Sequence, residues 1–326
     1  MGAKRRLTKQ QSRRIKQNIG SRQQQKQSSH EKSLGPEQSG VIISHHGKTL
    51  IVEDLNGQRF RCSARQNIGQ AVCGDHVVWQ AANEQEGVIT AIKDRQSLLV
   101  RPGFADRIKP VAANITLICI VIAPEPAPQE SMIDRYLVAA EYLNIKPVIL
   151  CNKSDLLDAE STHAWQERFS VYEDIGYEVL TTSTKLAHGL DQLRDKLTGN
   201  TSILVGQSGV GKSSLINCLI PDKAARVKVL SEQITQGQHT TSHSELYHLP
   251  DNNGDLIDSP GVRDFRLGHL DRDNIEQGFI EFRPFIGQCR FSDCKHINEP
   301  ECALLAAVEN KQIRQQRLES YQTIIS

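Results

Sequence analysis

With 326 residues, 38% of them hydrophobic, the chain exceeds what one core usually takes at roughly 100–200 residues per domain, so two or three units are expected. No apolar run reaches the ~18 residues of a spanning helix and no apolar stretch follows the basic start, which excludes a transmembrane segment and a secretory leader from the reading and makes a cytoplasmic protein without a membrane partner the expectation. The net charge of +1 conceals an asymmetry, because residues 1–32 carry ten Lys and Arg against one acidic residue and leave the remainder near −8.

Residues 1–35 are rich in Gln and Ser and nearly free of large apolar side chains. Such a segment cannot bury enough surface to offset its ordering entropy and is expected to be disordered alone. It reads either as a solubilising arm or as a nucleic-acid contact, since Lys and Arg among polar residues neutralise phosphates well.

Between residues 36 and 99 come five short β-rich runs: Val41–Ile43, Thr49–Val52, Arg59–Cys62, His76–Trp79 and Val88–Ile92. Asn56-Gly57 between the second and third is a hairpin signal. Five strands in so short a span suit a small barrel of the oligonucleotide-binding (OB) type.

From residue 100 to about 268 the periodicity alternates between strands and helices, which argues for an α/β domain with a parallel sheet covered on both faces. Expected strands are Asn114–Ala123, Pro147–Cys151, Val179–Thr182, Ser202–Val205 and Leu256–Asp258; expected helices are Ser131–Leu143 and Thr162–Val171. Cys119, Cys151 and Cys218 lie in apolar runs and read as small core residues, and eight cysteines in this length are too sparse for a disulfide scaffold.

Gly206-Gln207-Ser208-Gly209-Val210-Gly211-Lys212-Ser213, followed by Ser214, matches Gly-x-x-x-x-Gly-Lys-Ser/Thr between a strand and a helix. Glycines let consecutive N–H groups turn in on phosphates, the helix N-terminus adds partial positive charge, Lys212 reaches the β- and γ-phosphates, and Ser213 offers a hydroxyl to Mg²⁺. Asn152-Lys153-Ser154-Asp155 follows another buried strand, at the carboxyl edge where open α/β sheets bind ligands. Asp155 can accept both donors of the guanine edge, which adenine does not present, while Asn152 serves the carbonyl side and the Lys153 stem covers the ring. Ser183-Thr184-Lys185 supplies a second loop to hold the base from its other side. Together these residues predict GTP and GDP as ligands, with the base motif preceding the phosphate motif in the chain.

Asp258-Ser259-Pro260-Gly261 would place a carboxylate near Mg²⁺ and the Gly261 N–H near a γ-phosphate oxygen. The polar stretch Gly237–Ser242 holds a threonine to complete the Mg²⁺ shell, Thr241 being favoured and Thr240 the near alternative. Val262 stands where related enzymes carry a glutamine that orients the attacking water, so weak intrinsic hydrolysis is expected. His239 either supplies the missing group or is a solvated loop histidine.

Residues 269–326 form a third, α-rich unit ending in one expected helix over Cys302–Tyr321. Cys289, Cys294, His296 and Cys302 offer three thiolates and one imidazole at Cys-x4-Cys-x-His-x5-Cys spacing, enough to close a tetrahedral structural Zn²⁺ shell. Arg283, Arg290 and Lys295 with Phe285 and Phe291 permit RNA contact, or the aromatics pack the unit's small core.

The ordered set of Asn152–Asp155, Gly206–Ser214, Gly237–Thr241, Asp258–Val262 and the Cys/His cluster resembles the RsgA (YjeQ) family of circularly permuted GTPases, from about Gly40 to the C-terminal helix. The resemblance implies a multidomain protein with an OB-type β-barrel, a circularly permuted P-loop GTPase domain and a zinc-binding domain. It implies an enzyme that binds the small ribosomal subunit and its rRNA late in maturation, with hydrolysis stimulated by the ribosome; a monomer is expected. By the same resemblance Thr241 is the switch threonine and His239 the suspected catalytic helper. The competing reading is a GTP-regulated RNA-binding scaffold whose hydrolysis is incidental.

Overall fold

The computed structural model describes residues 34–46, 49–102, 108–221, 244–250, 253–259 and 270–326. The expected basic tail therefore lies outside the described residues, as do His239, Thr240, Thr241, Gly261 and Val262.

The first unit is a closed five-stranded barrel of β1 (Glu37–His46), β2 (Thr49–Asp54), β3 (Arg59–Ala64), β4 (His76–Ala81) and β5 (Glu86–Ile92). Strand β1 pairs with both β2 and β4, β3 runs parallel to β5, and β4 closes against β5. Alternate residues of β3, β4 and β5 point inward, as half-buried strands require. Trp79, fully buried, packs on Phe60 with ring centroids 4.4 Å apart. At the β2–β3 turn the Asp54 carboxylate accepts from the N–H groups of Asn56 and Gln58, so the hairpin signal at Asn56-Gly57 has its physical agent two residues earlier than the pair itself.

A two-stranded hairpin, β6 (Leu98–Pro102) with β7 (Ile108–Ala113), follows the barrel. The second unit then builds a sheet in the order β10-β9-β8-β11-β13-β12, from β8 (Leu117–Ile122), β9 (Lys146–Cys151), β10 (Glu178–Thr181), β11 (Thr201–Val205), β12 (Glu245–His248) and β13 (Asp255–Asp258). All are parallel except β12, which pairs antiparallel with β13. Every residue of β8 is buried, the mark of a central parallel strand covered on both faces. Helices α1 (Glu130–Tyr142), α2 (Ala159–Asp174), α3 (Asp191–Leu197) and α4 (Lys212–Leu219) cover the sheet. Helix α2 starts at a capping box between Asp158 and Ser161. Cys119 and Cys151 are buried as expected, but Cys218 is exposed: α4 turns Leu215, Ile216 and Leu219 inward and leaves Cys218 outside that stripe.

Barrel and α/β sheet form one continuous eleven-stranded sheet, because β1 bridges β12 at Ser44–Glu245. The third unit contains α5 (Arg272–Gln277), a 3₁₀ turn over Ile280–Phe285, α6 (Ala303–Glu309) and α7 (Gln315–Ile325). The single helix expected over Cys302–Tyr321 is thus two, broken at Asn310–Arg314 where Lys311 takes a left-handed φ of 59°. Leu304, Ile313 and Leu318 are all buried, so the apolar period continues across the break and hides it. Among the described residues no helix is long and apolar enough to cross a membrane.

Arg317 fastens α7 to α1. It is 1% exposed, pairs with the fully buried Asp134 of α1 and with Glu281 at 2.6 Å, and lies over the Phe279 ring at 4.5 Å.

Candidate nucleotide site and metal centre

Parallel strands send their connecting loops out at one edge, and the carboxyl ends of β8, β9, β10, β11 and β13 bring five segments together there. The loop after β11 is the glycine-rich one. Gly206 has φ of 132°, and a Cβ there would lie 2.2 Å from the Val121 carbonyl oxygen; Gly211 has φ of 97°, and its Cβ would meet Asn152 Nδ2 at 2.4 Å. Only glycine satisfies both the backbone conformation and the close approach. Val210 is buried beneath the loop, Gln207 is half-buried, and Ser208, Gly209, Ser213 and Ser214 are exposed. Lys212 Nζ donates to the carbonyls of Gly206 (2.7 Å) and Gln207 (2.6 Å), which holds the ammonium inside the loop.

Asn152 joins the two motifs. Its Nδ2 donates to the Val210 carbonyl at 2.8 Å and its Oδ1 accepts from the Thr182 hydroxyl at 3.2 Å, in a side chain only 2% exposed. Both ends of its amide thus brace the loops to each other, with one Nδ2 hydrogen and one Oδ1 lone pair outside these two bonds. Lys153, at φ of 60°, donates to the Glu125 carbonyl at 2.8 Å. Ser154 opens a 3₁₀ turn, and its N–H donates to the Thr182 carbonyl.

Asp155 is held by the loop after β10. The Ser183 hydroxyl donates to Oδ1 at 2.6 Å and Lys185 Nζ stands 3.2 Å from Oδ2. The Ser183 hydrogen bond first, then Lys185, hold this carboxyl below the usual carboxylate range, so it stays an acceptor. Ser183 also accepts from the Lys185 N–H at 3.1 Å, and Thr184 between them is half-buried. Asp258 ends β13, which lies beside β11, so its half-buried carboxylate leaves the sheet next to the start of the glycine-rich loop.

Sequence reasoning missed the loop after β8. The carbonyls of Glu125, Pro126 and Ala127 accept from Lys153 and Gln207, with both Gln207 contacts at 3.0 Å. The proline-rich run Pro124-Glu125-Pro126-Ala127-Pro128 directly after a buried strand was the available signal.

In the third unit the ligand atoms of Cys289, Cys294, His296 and Cys302 all lie within 4.8 Å of one another. Cys289 Sγ is 3.8 Å from Cys302 Sγ, and His296 Nδ1 is 3.6 Å from Cys289 Sγ and 3.2 Å from Cys302 Sγ. A tetrahedron with metal–sulfur arms of about 2.3 Å has edges near 3.8 Å, so the donor set fits a metal ion. Four protein ligands leave no open position, the arrangement of a structural site.

A parallel α/β sheet that carries a guanine-type base motif ahead of its P-loop defines a P-loop GTPase with permuted motif order. The RsgA GTPase family matches residues 92–268 of the chain. The small ribosomal subunit biogenesis GTPase RsgA of Pseudomonas putida (strain F1) is 50% identical over 297 residues, covering 90% of this chain and 86% of that protein. Among solved structures, YjeQ from Thermotoga maritima superimposes with a TM-score of 0.72 at 31% identity, covering 89% of this chain and 97% of that one. YloQ, described as a circularly permuted GTPase, gives 0.69 at 28% identity, covering 91% and 96%. The chain belongs to the RsgA GTPase family and is a GTP hydrolase.

Proposed function

We propose that the chain hydrolyses GTP to GDP and phosphate while bound to the small ribosomal subunit in the cytoplasm, late in subunit maturation, with turnover stimulated by the ribosome. The observation that carries the single-site reading is the Asn152–Val210 hydrogen bond, which ties the base motif to the phosphate loop. The subunit assignment is supported by the printed name of the P. putida relative, a small ribosomal subunit biogenesis GTPase.

In this reading Asp155, braced by Ser183 and flanked by Lys153, Ser154, Thr184 and Lys185, selects guanine by accepting two donors. Gly206 to Ser214 receive the phosphates, and the Lys212 ammonium exchanges its loop carbonyls for β- and γ-phosphate oxygens. Ser213, Asp258 and Thr241 would hold Mg²⁺, which offsets charge on those oxygens. The Gly261 N–H serves the γ-phosphate, and His239 orients the attacking water because Val262 cannot. Such a positioned group contributes about 10³–10⁵ in rate where it is supplied from outside the basic site. The Cys/His cluster holds one structural Zn²⁺.

The test compares GTP and ATP turnover with and without purified small subunits. GTP-only turnover that rises with subunits is expected. GTP binding with no turnover in either condition would overturn it in favour of a nucleotide-regulated RNA-binding scaffold.

A further inference from the structure

The metal cluster is gripped from outside its four ligands, and the grip comes from α5. His296 directs Nδ1 toward the thiols, while its other ring nitrogen, Nε2, stands 3.4 Å from Glu276 Oε1. Both residues are buried, His296 at 4% and Glu276 at 9% exposure. One turn earlier on the same helix, Arg272 donates to the Cys294 carbonyl and, through Nε, to the Tyr321 hydroxyl at 3.0 Å. Tyr321 in turn stands 3.5 Å from Glu276 Oε2. The backbone of His296 is held as well, since Gln322 of α7 donates to its carbonyl.

We propose that Glu276 is the positioning residue of the metal centre: by accepting the Nε2–H of His296 it fixes the tautomer that leaves Nδ1 free to bind metal, and so sets how tightly the ion is held. The proposal rests on the Cys/His cluster being a zinc site. An imidazole has one protonated nitrogen when neutral, and the partner of that nitrogen decides which one is left to ligate. A carboxylate in that place also raises the basicity of the ligating nitrogen. Charge supports the assignment. Three thiolates and a divalent ion sum to −1, Glu276 adds another negative charge in a buried place, and Arg272 lies against the same cluster to offset it. A purely packing role for Glu276 would call for no cation one turn away.

The experiment measures zinc affinity of the full chain by competition with a chromophoric chelator, together with the visible spectrum of the Co²⁺-substituted protein. Glu276→Ala is expected to weaken zinc binding 10–100-fold, the range for loss of such an outer partner, and to shift the Co²⁺ bands. Glu276→Gln keeps an acceptor oxygen and should lose clearly less. Tyr321→Phe removes the hydroxyl beside Glu276 but not its carboxylate, and should leave the Co²⁺ bands in place. If Glu276→Ala does not fold, a greater loss of affinity in Glu276→Gln than in Tyr321→Phe supports the proposal. Zinc affinity in the Glu276 variants within twofold of the parent, or an equal loss in Tyr321→Phe, overturns it. Failure of the parent chain to take up zinc overturns the reading of the cluster itself, a result distinct from both.

Discussion

His248 of β12 and Glu53 of β2, 195 positions apart in the chain, meet across the junction of the α/β sheet and the barrel. The imidazole bonds Asp255 through Nδ1 at 2.6 Å and Glu53 through Nε2, and Glu53 also takes Arg59 at 2.9 Å. Hydrogen bonds to Asp255 first and Glu53 next push the His248 pKa from 6.5 up to about 9. Burial raises the Glu53 carboxyl, but His248 and Arg59 more than offset this and leave it below its ordinary value.

A raised histidine pKa means the protonated form is favoured by folding. The contribution is therefore complete below pH 6.5 and is lost as pH rises through about 9. With His248 partly exposed, about 1–2 kcal/mol is expected. Urea unfolding at pH 6, 7.5 and 9.5 should show this loss in the parent chain and not in His248→Gln; parallel curves for the two would contradict it.

Asp155→Asn replaces an acceptor with a donor at the base edge. Preference should move from GTP toward XTP by about 10²-fold or more, the scale of a mismatched hydrogen bond in a binding site. Competition between the two nucleotides for the purified variant reads this directly, and retained guanine preference would separate Asp155 from the base.

Gly211→Ala places a methyl 2.4 Å from Asn152 Nδ2 on a backbone with φ of 97°. Left-handed strain and the lost Asn152–Val210 bond together should cost about 2–3 kcal/mol. Calorimetry should show a lower Tm, and titration with fluorescent GDP a weaker Kd.

Arg317→Ala leaves Asp134 and Glu281 buried without their cation, which should cost about 3–5 kcal/mol. Combining Arg317→Met with Asp134→Leu and Glu281→Gln should recover most of it, because the three together remove every charge of the desolvated cluster. Denaturant midpoints decide the matter; equal losses in the two variants would count against an uncompensated charge as the cause.

His239→Ala should lower subunit-stimulated turnover while leaving GDP affinity intact. An unchanged stimulated rate would remove His239 from the mechanism.

What could be read from the residues alone were features written in contiguous stretches. Gly206–Ser213, Asn152–Asp155 and the Cys289–Cys302 spacing each encode their chemistry within a loop, and the barrel strands showed by alternation. Strand β12 did not, because four residues, Glu245–His248, are too short for a period and owe their conformation to neighbours on both sides. The break at Lys311 was hidden by an uninterrupted apolar rhythm without Gly or Pro. Glu53–His248 and Asp134–Arg317 are pairings over 195 and 183 positions, for which no local pattern exists.

The join between β1 and β12 has a consequence for dissection of the chain. A fragment lacking the barrel would carry β12 as an uncovered margin, its N–H and C=O groups open to pairing with strands of other molecules. In the whole chain that margin meets the barrel at Ser44–Glu245, so removing the barrel exposes an edge as well as deleting a domain.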